Sequence, residues 1–544
     1  MKPFGIIILI FLCIPSFLYP QVAPKIEWQK CLGGSRDEDN DPLLQTIIQT
    51  KDGGYIIAGQ TNSNDGDVSG YHGGYDAWVV KLNSSRSIEW QKCLGGSGTE
   101  DLNSIIQTSD KGYVVAGFTT STDGDVSGIH GPDNHGQEPD GWIVKLDSSG
   151  KIQWQKCIGS TSEDVACSII QCLDGGYVVT GYTSLGGDGD LTGNHGGFDG
   201  WIAKLNSSGN IEWVRCLGGS GADVLYSVIQ TSDGGYAIGG ATNSKDEGFL
   251  NHVDRFGNGT SDAWIVKLDS LGGFRWQKLL GGTGIDYAYS IIQTKDGGYA
   301  VAGETNSIDG DVSGNHGAYD AWVLSLDTAG SILWQKCLGG SIGDNALSII
   351  NTTDGGYAIT GSTNSIDGDV SGKHGGVDTN DFWVVKLNSA GSIQWQKCLG
   401  GENNDEGFAI IQTKDGGYAI SGRTYSNNGD VSGNHGEKFP IDIWVVKLSP
   451  EASTVVNDYS GQTFALWAYP DPSNDQVHLH LFQSQPLKQI QFYNLLGIQY
   501  YPDYLVANNI LTVNGHNLPD GSYIVRVVYL NTPKDEIQKF LHYH

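Results

Sequence analysis

The residues best suited to chemistry lie in a nine-residue pattern, Asp-Gly-Asp-Val-Ser-Gly-x-His-Gly, whose first copy runs from Asp65 to Gly73. Near-copies begin at positions 123, 188, 309, 367 and 428, whereas the segment after Asp246 departs from the pattern. Two carboxylates on either side of one glycine could bind Ca²⁺ through oxygen ligands, with loop carbonyls completing the shell. Calcium is therefore the candidate cofactor. The candidate ligands are Asp65, Asp67, Asp123, Asp125, Asp188, Asp190, Asp309, Asp311, Asp367, Asp369 and Asp430.

The same loops can also be explained without a metal ion. Asp and Asn side chains hydrogen-bond the backbone of their own turn, and Gly permits tight bends. The loops lack the run of acids and the distal Glu that define an EF-hand loop. Zinc would need several ligands, but each loop has one regularly placed His, such as His72. The pattern favours turn chemistry over calcium, and calcium over zinc.

The sequence contains no catalytic constellation, so no catalytic residue is assigned. There is no Gly-x-Ser-x-Gly elbow, no phosphate-cradling loop and no His-Glu-x-x-His. Catalysis needs residues that one repeat has and its siblings lack. The irregular segments are 130–138, 247–255 and 437–441, where we expect any specificity to lie. A non-enzyme is favoured, and the enzyme question stays open.

These loops must be positioned by a repeat that runs through most of the chain. Each unit has an Asp-x-Gly-Tyr turn, an Asp-x-Trp strand and a second Trp strand of the Ile-Gln-Trp-Gln-Lys type. Four short strand-like runs per unit, with no 3.6-residue apolar period, predict an all-β fold. Seven such units predict a seven-bladed β-propeller. The marker residues are Tyr55, Tyr113, Tyr177, Tyr236, Tyr299, Tyr357 and Tyr418, then Trp78, Trp142, Trp201, Trp264, Trp322, Trp383 and Trp444, and Trp28, Trp90, Trp154, Trp213, Trp276, Trp334 and Trp395.

The order of the pieces predicts how the ring closes. The repeats begin with an isolated fourth strand, Ile26–Leu32, and the last unit stops after its third strand at Leu448. The N-terminal strand would then complete the last blade and leave no free sheet edge. If runs such as Ser104–Thr108 are innermost, the blade-to-blade links and the Asp-Gly-Asp loops gather at one end. Long loops on one end of a rigid scaffold are the usual binding surface.

Charge and the N-terminal segment limit the environment and the partners. The chain has 544 residues, with 61 Asp and Glu against 32 Lys and Arg, and a formal net charge of −29. This acidity argues against nucleic acid and anionic membrane surfaces as partners. Lys2 and the apolar run from Phe4 to about Leu18 predict a secretory signal peptide over residues 1–20. The propeller is then predicted over residues 21–448.

After a polar linker at 449–463, the repeat stops and alternating strand patterns predict a small β-sandwich over 464–544. Three motifs follow in order: Tyr-Pro-Asp-Pro-Ser-Asn, Phe-Tyr-Asn-Leu-Leu-Gly and Leu-Pro-Asp-Gly-Ser-Tyr. With a late Lys, they resemble the type IX secretion C-terminal sorting domain of Bacteroidetes, although Asp471 stands where that family usually has Asn. The residues carrying the resemblance are Tyr469, Pro470, Pro472, Gly497, Leu518, Pro519, Gly521, Tyr523 and Lys539.

The resemblance implies a route and a location. The signal peptide would take the chain across the inner membrane, and the type IX machinery, as a partner, would take it across the outer membrane. The sorting domain is then typically removed, and the cargo is attached to the surface or released. The seven-unit body resembles the propeller-like repeat cargo of such proteins, a label that carries no defined activity.

The sequence thus predicts a secreted or cell-surface binding or adhesion propeller, whose surface ligand is a glycan or a protein. A polysaccharide-active hydrolase or lyase is the main alternative, and a structural surface-layer component is another. Near-perfect repetition favours binding. A single asymmetric cluster of carboxylates, His or Arg in the central cleft would favour the enzyme.

Overall fold

A computed structural model describes residues 23–39, 46–130, 138–184, 187–246, 260–436 and 441–451, together with eight strands between 468 and 542. The regular structure of these residues is β-strand throughout. Among the described residues, no helix is long and apolar enough to cross a membrane. The chain divides into two compact units, Met1–Glu451 and Ala452–His544. The predicted signal peptide lies outside the described residues.

The first unit consists of seven antiparallel sheets, which confirms the prediction of an all-β, seven-bladed propeller. We number the blades 1 to 7 by the chain order of their Asp-x-Gly-Tyr turns. The first strands are Glu38–Asp39 with Ile47–Gln49, then Glu100–Gln107, Asp164–Gln171, Asp223–Gln230, Asp286–Gln293, Ser348–Asn351 and Asp405–Gln412. The second strands are Tyr55–Thr61, Tyr113–Thr119, Tyr177–Ser184, Tyr236–Thr242, Tyr299–Thr305, Tyr357–Thr363 and Tyr418–Thr424.

The outer half of each blade contains the two Trp strands. The third strands are Asp76–Leu82, Asp140–Leu146, Phe198–Leu205, Asp262–Leu268, Asp320–Leu326, Asp381–Leu387 and Asp442–Leu448. The fourth strands are Ile88–Leu94, Ile152–Ile158, Ile211–Leu217, Phe274–Leu280, Ile332–Leu338, Ile393–Leu399 and, for blade 7, Ile26–Leu32.

Blade 7 is built from both ends of the repeat region. Ile26–Leu32 pairs antiparallel with Asp442–Leu448, so that Cys31 lies opposite Trp444. The Trp444 indole N–H donates to the Gln29 side chain at 2.7 Å. In blade 1 the same contact joins Trp78 and Gln91 at 2.8 Å, within one continuous stretch of chain. The N-terminal strand therefore makes the contacts that a local fourth strand makes elsewhere.

The first strands of neighbouring blades contact one another around the whole ring, which makes them the innermost strands. In blades 2, 3, 4, 5 and 7 they are longer than the sequence predicted. In blade 2 the strand begins at Glu100 rather than Ser104, because the Glu100 carboxylate binds the second strand through Thr119 at 2.8 Å. The extra residues carry these five first strands up to the end of the ring where the blade links lie.

Aromatic side chains hold the blades together. Trp142 of blade 2 is fully buried and shares a hydrophobic cluster with Ala58 and Val79 of blade 1. Trp90 of blade 1 meets Tyr113 of blade 2 edge-on, with ring centroids 5.8 Å apart. Such a pair contributes about 0.5–1.5 kcal/mol beyond its buried area. An equivalent Trp–Tyr pair occurs at every blade junction.

The second unit contains two four-stranded antiparallel sheets. One consists, in spatial order, of Ala468–Asp471, Gln476–His480, Ile510–Asn514 and Tyr504–Ala507. The other consists of Gln499–Tyr500, Leu487–Asn494, Gly521–Tyr529 and Glu536–His542. That the two sheets pack face to face as a sandwich stays a prediction.

Candidate functional site

The first acid of each Asp-Gly-Asp loop caps the link that leads into its own blade. Asp123 accepts a hydrogen bond from the backbone N–H of Ser97 at 2.7 Å. Hydrogen bonds from Ser97, the backbone one foremost, lower the pKa of Asp123. Asn428 makes the same contact with the N–H of Glu402 at 2.9 Å, so an amide serves as well as a carboxylate. The same role is filled by Asp65, Asp188, Asp309 and Asp367.

The second acid of each loop faces the preceding blade. Asp190 of blade 3 lies 3.4 Å from both Lys156 Nζ and His130 Nε2 of blade 2. Asp67 of blade 1 lies 3.9 Å from Lys30 Nζ and 3.8 Å from His435 Nε2, both of blade 7. The carboxylates of Asp125, Asp311 and Asp369 lie 3.4 Å from a link glycine N–H, and Asp430 lies 3.8 Å from His374 Nε2.

The predicted calcium ligands therefore lie in two kinds of place, a turn cap and a blade junction. Among the described residues, no group of three or more His, Cys, Asp or Glu side chains is placed to hold a metal ion. The hydrogen bonds of the first acids are those expected of turn chemistry. Calcium binding by these acids stays a prediction.

The loop histidine pairs with the Asp that begins the third strand. In blade 1 the Asp76 carboxylate accepts from the backbone N–H of His72 at 2.9 Å and from its Nδ1 at 2.7 Å. Asp76 is fully buried, and its other oxygen has no hydrogen-bond partner among the described residues. This Asp recurs in the Asp-x-Trp strand of every unit, but its His partner was not predicted from the sequence. The pairs are His72–Asp76, His130–Asp140, His195–Asp199, His316–Asp320, His374–Asp381 and His435–Asp442.

A second buried acid, at the start of the next blade, completes each junction. A Cβ added at Gly218 would lie 2.7 Å from an oxygen of both Asp199 and Asp223, so the two carboxylates flank one glycine. Burial raises the pKa of both groups. We call these the interblade carboxyl pairs. They are Asp442–Glu38, Asp76–Glu100, Asp140–Asp164, Asp199–Asp223, Asp262–Asp286, Asp320–Asp344 and Asp381–Asp405.

The sequence-based reasoning did not single out the second acid of these pairs. A signal was present, because an Asp or Glu recurs at constant spacing after the Gly that ends each fourth strand, as in Gly95 and Glu100. Its meaning depends on the junction, which brings together residues of two different blades. The pairs recur around the whole ring, so they do not distinguish one blade from another.

One cavity near the axis does distinguish the blades. It has a volume of about 430 Å³ and is lined by blades 5, 6 and 7. Its aromatic lining residues are Tyr289, Tyr319 and Phe408, and its acidic lining residues are Glu304, Asp344 and Glu406. The remaining lining residues are Gly343, Asn345, Leu347, Ser362, Asn364 and Asn380.

A β-bulge in the first strand sets a non-repeating residue into this wall. In blade 5 the strand pairing skips from Ala288 to Ser290, which leaves Tyr289 outside the ladder. The same skip leaves Phe408 outside the ladder in blade 7. Bulges are a recurrent means of re-aiming a side chain next to a functional site. The bulge residues, in blade order, are Asn103, Cys167, Tyr226, Tyr289 and Phe408, whereas the Ile-Gln or Ile-Ile-Gln run beyond them repeats.

The sequence predicted that residues determining ligand specificity lie in other segments. The irregular segments 130–138, 247–255 and 437–441 fall largely outside the described residues, and their role stays a prediction. The variable residue before each Ser-Ile-Ile run was the available signal. This signal could not be interpreted without knowledge of the bulge. In a regular strand, successive side chains alternate between the two faces of the sheet, and a bulge changes that orientation.

Blade 7 supplies a cation beside the cavity. The Arg423 guanidinium forms an ion pair with Glu406 at 2.7 Å, and the Asn380 amide donates to the same carboxylate at 2.8 Å. The guanidinium carbon also lies 5.5 Å from the ring centroid of Phe408 and 5.9 Å from that of Tyr425. The negative charge of the Glu406 carboxylate is therefore compensated by Arg423.

Glu304 of blade 5 has a different environment. The Tyr289 hydroxyl donates to its carboxylate at 2.9 Å. Burial raises the pKa of Glu304, and no cationic side chain among the described residues offsets that effect. Burial and the nearby Glu304 also raise the pKa of Tyr289 well above its usual value. In the part of the chain that the structure describes, Glu304 is thus a lining carboxylate held by neither a cation nor a backbone N–H.

Comparison with known proteins gives information mainly about the C-terminal unit. Residues 467–541 match the family described as the secretion system C-terminal sorting domain. The regulatory protein FlaEY of Caulobacter vibrioides is 29% identical over 216 residues, which are 38% of this chain and 22% of that protein. The chain thus spans about a fifth of the length of this relative.

The propeller is similar to several solved structures at low identity. Sqt1 from Chaetomium thermophilum is 10% identical, with a TM-score of 0.35, over 77% of this chain and 100% of that one. YCF48 bound to D1 peptide is 11% identical, with a TM-score of 0.37, over 80% and 99%. A puromycin hydrolase is 9% identical, with a TM-score of 0.39, over 84% and 64%.

The sorting-domain prediction is confirmed by the family match. Such a domain marks proteins that are secreted or carried on the outer surface, and it implies interaction with the type IX secretion machinery. Tyr469 and Pro470 lie on Ala468–Asp471, Gly521 and Tyr523 on Gly521–Tyr529, and Lys539 on Glu536–His542. The remaining motif residues, Pro472, Gly497, Leu518 and Pro519, lie outside the described residues.

Proposed function

Because residues 467–541 form a type IX C-terminal sorting domain, we propose that the chain is an exported binding or adhesion module. Its ligand is held in the cavity between blades 5, 6 and 7. One observation carries this proposal. In a scaffold built from repeated blades, non-repeating side chains from the two inner strands of blades 5 and 7 line one cavity: Tyr289, Glu304, Glu406 and Phe408.

The cavity has the size and chemistry of a site for a small molecule or an end group. Ligand pockets are typically about 300–1,000 Å³, with apolar walls and a few polar groups that fix orientation. Here Tyr289, Tyr319 and Phe408 supply ring surface, while Asn345 and Asn364 supply amides. A terminal sugar of a glycan or a side chain of a surface protein would fit this description.

An enzyme acting on polysaccharide is the second candidate, and Glu304 is the observation that favours it. A carboxyl group with a raised pKa is the usual general acid of a glycoside hydrolase, but a second, ionised carboxylate is also needed. Glu406 is tied to Arg423. Asp344 accepts hydrogen bonds from the Gly340 N–H at 2.8 Å and the Ser365 hydroxyl at 2.7 Å. The oxygens of Glu406 and Asp344 are thus engaged by groups of the protein itself, which favours binding over hydrolysis.

A purely structural surface component is the third candidate. It would account for the closed ring and the buried blade junctions. It gives no reason for the convergence of non-repeating residues on one cavity.

The test compares two tyrosines in equivalent positions. Tyr75 and Tyr319 both precede the Asp of a third strand and form a backbone bridge to the neighbouring link, but Tyr319 lines the cavity. The full chain is screened against immobilised glycans and peptides. For each ligand found, we expect Tyr319→Ala to weaken binding at least tenfold, about 1.4 kcal/mol, and Tyr75→Ala to leave it unchanged. No ligand, or equal effects of the two substitutions, would refute the proposal.

A further inference from the structure

Blade 7 shows how this scaffold holds a cation at the cavity. In its sheet, Glu406 of the first strand lies opposite Arg423 of the second strand. The guanidinium is bound by the Glu406 carboxylate and lies over the rings of Phe408 and Tyr425. A positive charge next to a carboxylate and against aromatic faces is a favourable arrangement. Here the chain itself provides the cation.

Blade 5 has the same backbone arrangement with different side chains. The positions of Glu406 and Arg423 are taken by Tyr287 and Glu304, which again lie opposite each other. Tyr289 takes the bulge position of Phe408, and its ring lies 5.5 Å from Tyr287, centroid to centroid. A carboxylate and aromatic rings are therefore present at blade 5, as at blade 7.

The cavity also has an uncompensated negative charge. Among the described residues, its lining contains three carboxyl groups and no Lys, Arg or His. Glu406 is paired with Arg423, and Asp344 is bound by the Gly340 backbone and two hydroxyl groups. Within the described ranges, Glu304 accepts one hydrogen bond, from the Tyr289 hydroxyl at 2.9 Å. A carboxylate taken out of water needs a proton or a cation.

We propose that the cavity selects a small organic ammonium ion, which binds against Glu304 and the rings of Tyr289 and Tyr319. The positive charge of the ligand compensates the negative charge of Glu304, as the Arg423 guanidinium compensates that of Glu406. This inference rests on the proposed binding function and names the chemical class of its ligand. A neutral sugar would leave the Glu304 charge uncompensated, so it should bind more weakly than an ammonium ion of similar size.

The test uses choline and its neutral isostere 3,3-dimethylbutan-1-ol, titrated by calorimetry into the full chain. We expect choline to bind at least tenfold more tightly than the alcohol. Glu304→Gln retains the size of the side chain and removes its charge, so it should abolish this preference while leaving the affinity for the alcohol unchanged. Glu89→Gln, on the fourth strand of blade 1, is the control and should retain the preference.

The outcomes separate this inference from the function on which it rests. If choline and the alcohol bind equally, or if Glu304→Gln keeps the preference, the ammonium inference is wrong. Methyl galactoside and methyl glucoside are titrated in parallel. If one of them binds in a Tyr319-dependent manner and choline does not, the cavity is a binding site for a neutral ligand, and only the inference fails. If Tyr319→Ala alters no probe or screened ligand, the proposed function fails as well.

Discussion

Replacing Glu38 by Gln should remove the contribution of one buried carboxyl group to the pH dependence of the stability of the propeller. Glu38 belongs to the interblade carboxyl pair between blades 7 and 1 and is fully buried. It accepts hydrogen bonds from the Gly34 N–H at 2.8 Å and the Thr61 hydroxyl at 2.9 Å. A Gln side chain can accept the first bond through its oxygen and donate to the Thr61 hydroxyl through its amide. The substitution therefore removes the charge and keeps the packing.

The expected magnitude follows from the pKa of this group. Burial, aided by the neighbouring Asp442 and opposed by hydrogen bonds from Ser63, Gly34 and Thr61, raises the pKa of Glu38 from 4.5 to about 7. A folded-state pKa above the unfolded value means that the folded state holds the proton more tightly. The contribution to stability is therefore fully present below about pH 4.5 and is lost as the pH rises through about 7. The difference amounts to about 3 kcal/mol.

The measurement is urea unfolding of the full chain at about pH 5 and about pH 8, in EDTA so that no divalent cation replaces the proton. We expect the free energy of unfolding to fall between the two pH values in the wild type, and to fall by about 2.5 kcal/mol less in Glu38→Gln. Glu402→Gln, at an exposed position, is the control and should behave as the wild type. An equal pH slope for Glu38→Gln and the wild type would refute the reasoning, because Glu38 would then be ionised in the folded state.

Three further outcomes are expected. Burial raises the pKa of Asp164, Asp286 and Asp405 to about 6, so wild-type stability should already fall as the pH rises from about 4 to 6, which thermal unfolding across that range would show. Lys111 has a φ of 72° where the other blades have Gly, so Lys111→Gly should stabilise the chain by about 1 kcal/mol in urea unfolding, and a loss of stability would contradict the strain argument. Asp123→Asn should keep the thermal midpoint, since Asn428 caps the equivalent turn, whereas Asp123→Ala should lower it. If both substitutions lower the midpoint equally, and millimolar Ca²⁺ raises the midpoint of the wild type, the result would support calcium binding instead.

Much of the fold could be predicted because it depends on local, repeated signals. The Asp-x-Gly-Tyr turns and the Trp strands recur in seven units, and each unit encodes four short strands. At each blade junction, the Trp of one unit's fourth strand packs against the Tyr of the next unit's Asp-x-Gly-Tyr turn, as Trp90 does against Tyr113. Any blade that forms presents the same surface to the next one, and the displaced strand Ile26–Leu32 joins the last blade and so indicates a ring.

The candidate site could be predicted only in part. The sequence predicted that the blade links and the Asp-Gly-Asp loops lie at the same end of the ring, and Asp123 of such a loop indeed accepts a hydrogen bond from the link residue Ser97. That this end binds a ligand stays a prediction. Tyr289 and Phe408 were not recognised, because their orientation depends on a bulge that the strand pattern does not reveal. The interblade carboxyl pairs were missed because each pair joins residues of two blades.

The sequence by itself determined the export route, through the sorting motifs, and the fold, through the strand order and the number of blades. It also determined the acidic character of the chain. These features depend on short motifs and their spacing, which can be recognised without knowing how the side chains pack. Only the tertiary structure decided which side chains meet. It brought Asp199 to Asp223 across one junction and Glu304 to Tyr289 beside the axis. Both contacts arise because the closed ring places neighbouring strands around a shared interior, where burial controls the charge state of each acid.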